Sequence, residues 1–411
     1  MSVVIYAIPI FFTLMGIELL YESISKRKTY RLNDAITNIS TGTLQQVSGA
    51  FFSIIKVGIY VFIYNHFALF SLSNNWITFS ILFMLYDLAY YWEHRMAHTI
   101  SLFWGGHVVH HQSEDFNLSV ALRQTSTGFI WGFPFYLPLA LMGFDPKVFV
   151  LVAGLNLLYQ FWIHTEHINK MFDWFEAIFN TPSHHRVHHG RDPKYIDKNF
   201  AGVFIIWDKL FGTFVEEKER PTYGITTPLQ SWNPVYANFA HYHDIGKLLR
   251  KSRSLSDSMK ILFKPPGWRP EYLGGYEAPT APEPDYKKYD RQIALKMNGY
   301  VIFQFLILLA IVPPFFFIEK DLSLNLKIFY AFWIMWTTIS FGLIFETPTK
   351  YFKFFEVLRL FVLPLYAWYL AIWDLIPMEV FYVLSVFAGL SVITFINLEK
   401  RNNQAIRNIS I

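Results

Sequence analysis

The sequence predicts an all-α, polytopic helical membrane protein of about nine spans, carrying a cytoplasmic histidine-rich cap suited to two metal ions. Three observations predict it. Of the 411 residues 53% are hydrophobic and only 16% charged, long apolar stretches recur along the chain, and eleven of the fourteen histidines fall in four tight groups. Soluble domains carry about a quarter charged residues, so this balance belongs to a chain whose solvent is largely lipid.

The first apolar stretch, Val3 to Tyr21, is long enough to cross a bilayer. No basic segment precedes it and no small-residue cleavage site follows, so it reads as a retained anchor. Further stretches run from Leu44 to Phe70, Trp76 to Trp92, Thr127 to Met142, Val148 to Ile163, Gly299 to Ile318, Ile328 to Phe345, Phe355 to Trp373 and Val380 to Asn397. Basic residues orient them. Lys26, Arg27, Lys28 and Arg31 follow the first stretch, Lys350 and Lys353 precede the eighth, and Lys400, Arg401 and Arg407 follow the last. Nine spans put all three groups on one side, opposite short connections such as Asp145-Pro146-Lys147 and Glu319 to Asn325. The positive-inside rule makes the basic side cytoplasmic and the N-terminus external.

That topology sends residues 93–126 and 164–298 to the cytoplasm. The second segment contains a Pro/Gly-rich stretch, Lys264 to Pro284, whose PPGWRP and APTAPEP runs favour turns and extended backbone, as in a surface lid or wrap. The chain divides into a catalytic membrane domain with its cap, 1–298, and a C-terminal helical bundle, 299–411. The bundle contains no histidine and reads as scaffold, lipid-facing support or a substrate tunnel.

The chain has no cysteine, which excludes disulfides, thiolate zinc sites and cysteine-ligated iron–sulfur clusters. Any metal must be held by nitrogen or oxygen. The net charge of +4 is small, and no nucleic-acid motif or phosphate-binding glycine loop is present.

The histidines form the groups His94 and His98; His107, His110 and His111; His164 and His167; and His184, His185, His188 and His189. In HRMAH the i, i+4 spacing sets two imidazoles on one helix face, and HVVHH and HRVHH share an i, i+3, i+4 pattern that aims three rings at one point. One zinc takes at most four ligands, so this surplus is most economically two metals. Imidazole suits several metals alike. The membrane setting favours iron, because attack on the unactivated C–H bonds of a lipid chain needs an oxidising metal–oxygen site. Asp87, two turns before His94, and Glu93 and Glu166, each beside a candidate ligand, are acceptors that could fix an imidazole's second nitrogen. Asp192, Tyr195, Asp197 and Asn199, just after HRVHHG, either hold a metal-bound water or a cofactor edge, or terminate the helix and shape a turn; the sequence favours neither.

Bland readings compete. A lone HxxxH is more often a surface or capping pair than a ligand pair, but four groups on one predicted side weigh against that. His66 reads as an interfacial side chain, and His241 and His243 as surface or loop residues. A metal transporter would carry ionisable groups along the middle of its spans, whereas here they gather at one face. A structural zinc cluster would not need so many ligands.

The boxes HRMAH, HVVHH and HRVHH resemble those of the fatty acid hydroxylase superfamily, also called the sterol desaturase family. IHTEH, NTPSHHRVHHGRDPKYIDKNF, IIWDKLFGTF and ILFKPPGWRP are most similar to its alkylglycerol monooxygenase branch. The likeness covers Tyr86 to Pro270, and the C-terminal spans match in layout only. It implies that His94, His98, His107, His110, His111, His185, His188 and His189 ligate iron, with His164 a ninth. His184 is a ligand or lies behind one, and His167 falls at a three-residue spacing where relatives often have four. It also implies two irons, dioxygen as oxidant and tetrahydrobiopterin as reductant, hydroxylating the ether-linked carbon of a membrane alkylglycerol. The resulting hemiacetal falls apart to a fatty aldehyde and a glycerol derivative. The sibling reading is sterol or fatty-acyl hydroxylation or desaturation driven by an electron-transfer protein. The cysteine-free, Ile/Lys/Phe-rich composition points to a bacterial cytoplasmic membrane; in a eukaryote the endoplasmic reticulum is expected.

Overall fold

The computed structural model describes residues 3–283, 285–291, 293–318, 321–346, 350–373 and 376–409. Pro284 and Glu319, which bound two of the segments discussed above, lie outside them. The described residues form helices joined by irregular loops, with no strand beyond two isolated β-bridges, Phe179 to Phe204 and Gly190 to Tyr223.

In chain order the helices are α1 (Val3–Ser25), α2 (Leu32–Phe67), α3 (Trp76–Thr99), α4 (Ser101–Trp104), α5 (Val108–His111), α6 (Phe129–Gly132), α7 (Leu137–Leu141), α8 (Pro146–Trp162), α9 (Asp173–Ile178), α10 (Pro182–His188), α11 (Ile206–Phe211), α12 (Pro234–Lys251), α13 (Leu255–Phe263), α14 (Leu295–Ile318), α15 (Leu324–Phe345), α16 (Lys350–Ile372) and α17 (Met378–Ile409). The starts follow capping chemistry. The Asn75 side chain accepts from the Ile77 and Thr78 N–H groups while Thr78 returns a bond to the Asn75 backbone, a complete capping box at α3. Asp145 accepts from Lys147 and Val148 at the head of α8, whose first residue is Pro146.

Among the described residues six helices are long and apolar enough to cross a membrane: α1, α2, α14, α15, α16 and α17. The expected count of about nine is not confirmed. From its midpoint onward α3 carries Asp87, Glu93, His94, Arg95 and His98. The stretch from 127 to 142 is broken by Pro134 and Pro138 into two short helices with a 3-10 turn between them, and α8 has 17 residues. These segments still run beside α2: Phe129 stacks on Phe52, and the Leu69 N–H donates to the Leu141 carbonyl. Tyr60 of α2 stacks on Phe149 of α8 at 4.1 Å.

The chain forms two compact units. The first comprises 1–230 and 236–289, the second 231–235 and 290–411. In the first, α2 changes character along its length. Its N-terminal part buries Asp34, Thr37, Asn38 and Thr41, whereas Ile54, Ile55 and Phe62 further along are exposed, as suits a lipid-facing surface. In the second, the four C-terminal helices share a buried polar cluster. Arg359 pairs with Glu356 through both carboxylate oxygens, Tyr300 and Ser340 donate to the same carboxylate, and Gln304 accepts from Arg359 and donates to Ser391. Charges inside such a bundle persist only when paired and hydrogen-bonded in this way.

Candidate metal centre

The polar site lies in the first unit, where the C-terminal ends of α1, α3 and α8 meet the N-terminal end of α2. The last two turns of α3 carry His94 and His98, one turn apart. His107 heads α5, which carries His110 and His111, and His164 follows the end of α8. Helix α10, begun by Thr181 and Pro182, carries His185 and His188 and ends at His189.

These nine histidines form two groups. His94, His98, His107, His111 and His188 make one, and His110, His164, His185 and His189 the other; within each, the candidate ligand nitrogens lie within 4.8 Å of one another. Adjacent residues on a helix point about 100° apart, so the doublets His110–His111 and His188–His189 each send one ring to each group. The groups therefore abut, with the His111 and His189 rings stacked at 4.4 Å.

Hydrogen bonding fixes which nitrogen faces inward. Nδ1 of His94 lies 2.7 Å from the Phe200 carbonyl, that of His110 2.9 Å from Arg123 O, that of His164 2.8 Å from Gln160 O, and that of His188 3.0 Å from Lys198 O. With a carbonyl as partner, Nδ1 must be the protonated donor, so Nε2 presents a lone pair inward. Burial, reinforced by the neighbouring imidazoles, pushes the pKa values of eight of the nine rings down and keeps them neutral.

The inward nitrogens crowd. Nε2 of His110 and His164 are 3.2 Å apart, and His94 and His107 approach to 2.9 Å, His107 and His111 to 3.0 Å, His164 and His185 to 2.9 Å. For His110 and His164 both protons are already committed elsewhere, so two lone pairs face each other with no hydrogen to share. A cation between them resolves the conflict. Two imidazoles at right angles on one metal, each about 2.1 Å from it, have nitrogens about 3.0 Å apart, which is the spacing seen. Nε2 of His98 and of His188 are also buried without a hydrogen-bond partner. The donor set fits two metal ions.

The loops that supply the carbonyls are pinned by buried side chains. Asp87 accepts from Asn156 Nδ2, the Val203 and Phe204 N–H groups and Trp207 Nε1, at 2.7–3.0 Å. Asp208 accepts from the Phe200 and Ala201 N–H groups and Thr213 Oγ1; burial pushes its pKa up to about 6. Arg123 donates to Val109 O, Asn38 and Gln112 behind α5. Arg186, fully buried within the third box, donates to Thr165 O, Ile168 O and Asn169 O and pairs with Glu217.

Sequence reasoning missed Arg123, Arg186, Asp208 and Glu217. Only Arg186 offered a signal, as a cation inside a run of candidate ligands. The expected carboxylate partners for the imidazoles are largely replaced by backbone carbonyls. Asp87 braces a loop instead. Glu93 accepts from Tyr136 at 2.7 Å, and Glu166 pairs with Arg27 and Arg220 and accepts from Tyr223. Asn199, at φ 53°, bridges His184 O and Val215. Asp192 and Tyr195 shape the following loop through Thr222 N and Glu219. Among the described residues Asp197 is the carboxylate near a ring of either group, 3.5 Å from His98 Nδ1.

The structure does not bring His167 or His184 into either group. His167 lies 3.4 Å from Thr29 Oγ1 and against the edge of Tyr21, and His184 faces Glu176 at 3.8 Å. His66 is an exposed residue of α2. His241 is not a surface residue but half-buried in α12, 2.9 Å from Ser101 O, while His243 on the same helix is exposed.

The fatty acid hydroxylase family profile matches residues 79–213, the span that contains both groups. The chain is 41% identical over 352 residues to the alkylglycerol monooxygenase of Homo sapiens, covering 84% of this chain and 78% of that one. It is 39% identical over 347 residues to the alkylglycerol monooxygenase of Xenopus tropicalis (83% and 76% covered) and 36% identical over 320 residues to that of Danio rerio (77% and 71%). No solved structure matches it.

Proposed function

The chain belongs to the alkylglycerol monooxygenase family, and we propose that it is an integral membrane enzyme in which nine histidines hold two irons and O2 is used to hydroxylate the ether-linked carbon of an alkylglycerol. The facing lone pairs of His110 and His164, 3.2 Å apart, carry this reading. Imidazoles do not name the metal. Iron is inferred from the substrate class, since a lipid C–H bond yields to an oxidising centre.

When bound, the two irons supply the oxidising power that replaces a C–H bond beside the ether oxygen with C–OH. The balance is one O2, two electrons and two protons, with one oxygen atom entering the lipid and the other leaving as water. The hemiacetal then collapses to a fatty aldehyde and the glycerol fragment. Tetrahydrobiopterin is the proposed electron source, with an electron-transfer protein as the competing one.

The chain's own residues prepare this chemistry. The carbonyls of Phe200, Arg123, Gln160 and Lys198 fix the tautomer and orientation of four imidazoles while burial keeps them neutral, the preorganisation that a metal centre needs. Phe116, Phe200 and Trp104 pack against the rings and exclude water. Asp87, Glu93, Glu166 and Asn199 act as positioning residues around this core. Catalysis is assigned to 1–298 and a scaffold role to 299–411. The cytoplasmic placement of the cap is supported by Lys26, Arg27, Lys28 and Arg31, which follow α1 at the helix end that carries the site. With the bacterial origin that composition suggests, the membrane is the cytoplasmic one.

The test is O2-dependent release of fatty aldehyde from an alkylglycerol by the detergent-purified chain, with and without tetrahydrobiopterin. Aldehyde that requires the pterin and disappears in His110→Ala supports the reading. Hydroxylation of sterols or acyl chains without aldehyde release overturns the substrate, and aldehyde release driven only by an electron-transfer protein overturns the pterin.

A further inference from the structure

We propose that the α12–α13 segment is a membrane-surface anchor, whose α13 stripe of Leu255, Met259 and Phe263 lies in the interface of a bilayer and whose basic residues engage anionic lipid headgroups. Nothing in the metal-centre reading requires it.

Three observations carry the inference. The first is the exposed face of α13. Leu255, Met259 and Phe263 follow one another at four-residue intervals, which sets them along one side of the helix, and they are 79%, 48% and 47% exposed. The opposite face is already used: Ile261 is buried, and Asp257 accepts from Tyr272. A helix that packs one apolar side and leaves a second apolar stripe uncovered is suited to lie on a surface of lipid.

The second is charge. Residues 247–264 contain Lys247, Arg250, Lys251, Arg253, Lys260 and Lys264 against one acid, Asp257. Lys260 is exposed on the α13 flank next to the apolar stripe, and Lys264, just past the helix end, is exposed as well; their stems can follow the hydrocarbon boundary while the ammonium groups reach phosphates. Apolar stripe and basic flank together match an anionic bilayer surface better than a soluble acidic partner, which would leave the three apolar side chains in water.

The third is depth. Trp131 Nε1 donates to the Tyr242 hydroxyl of α12 at 2.9 Å, and Ser126 N–H donates to Asn238 of the same helix at 2.8 Å. Trp131 belongs to α6, whose Phe129 stacks on Phe52 of α2. Two residues further along α2, Ile54 is 79% exposed, within the part of that helix read as lipid-facing. Helix α12 is therefore held at the level where the spanning helices begin to expose apolar side chains, which is where Trp and Tyr collect in membrane proteins. Ser101 N–H donates to Lys264 O and ties the end of α13 to the segment that follows His98, so the anchor sits one short segment from the first histidine box.

The absence of cysteine makes the test direct. Leu255→Cys, Met259→Cys, Phe263→Cys and, as an aqueous reference, Glu219→Cys are spin-labelled in the full chain and reconstituted in nanodiscs of zwitterionic lipid with or without a third anionic lipid. Collision with oxygen and with a water-soluble nickel chelate reads depth. The expected result is that the three α13 labels favour oxygen over the chelate at least threefold more than the Glu219 label does, and lie deeper in anionic discs. Chelate access equal to that of the Glu219 label overturns the anchor, and equal depth in both lipids overturns the role of anionic headgroups. A variant replacing Lys247, Arg250, Lys251, Lys260 and Lys264 with Gln should reproduce the zwitterionic depth in anionic discs; unchanged depth likewise overturns the charge argument.

Discussion

Arg186 and Glu217 form a two-point ion pair, Nε to Oε1 at 2.9 Å and the terminal nitrogen to Oε2 at 2.6 Å, with the arginine side chain wholly buried beneath the third histidine box. The same guanidinium collects three carbonyls of the 165–169 loop, so it ties α10 to the segment that begins at His164. Removing one partner of a buried pair costs on the order of 3 kcal/mol because the other charge stays behind without compensation. Glu217→Ala should accordingly lower the unfolding temperature of the metal-free protein, and Arg186→Met with Glu217→Leu should recover part of the loss. Thermal unfolding in detergent checks it; an unchanged midpoint in Glu217→Ala would show the pair to be dispensable.

Asp87 acts on the site through a loop. Its four donors include the Val203 and Phe204 N–H groups, and a few residues earlier the Phe200 carbonyl receives His94 Nδ1. Asp87→Ala strands buried donors at about 1–3 kcal/mol each and frees that carbonyl to move. Loss of such an outer hydrogen bond typically weakens metal binding by about 10- to 100-fold. The loss should fall on the group containing His94 and spare the group containing His164, as metal titration of the variant would read.

Acid should loosen the metal-free cap. His110 is held down at about 4, against an ordinary 6.5, chiefly by burial. A histidine with a depressed folded value takes its proton more readily when unfolded, so its stabilising contribution is complete above about 6.5 and is lost as the pH falls through about 4. The other depressed imidazoles act in the same direction. Unfolding temperature measured on metal-free protein should therefore fall steadily from pH 7 to pH 4; a flat profile would mean the rings are not buried neutral.

Much of this site was legible. The i, i+3, i+4 spacings of HVVHH and HRVHH, and the i, i+4 spacing of HRMAH, follow from helix geometry, and the structure indeed gathers those rings. His184 shows the limit. It adjoins His185, but on α10 the neighbouring direction points to Glu176, and whether a doublet straddles two sites or wastes a member depends on what packs opposite. His167 fails differently, because the 163–172 segment is not helical and a helical spacing means nothing there. The carbonyls of Phe200, Arg123 and Lys198 were illegible because any residue can supply one; only the tertiary path of the loop selects which. The span count is unconfirmed where polar residues and prolines interrupt apolar runs, as in α3 and between Phe129 and Leu141.

The placement of His167 and His184 is itself testable. His184→Ala and His167→Ala should each retain the full metal complement, whereas His185→Ala should not. Equal loss in His184→Ala and His185→Ala would mean that His184 is a ligand.

The most direct test of the central claim is elemental analysis of the purified full chain beside His98→Ala and His164→Ala, each of which breaks one group. The account predicts close to two irons per chain in the unaltered protein, and a loss confined largely to one iron in each variant. Zinc in place of iron, a single metal, or no metal after purification and iron supplementation would contradict it.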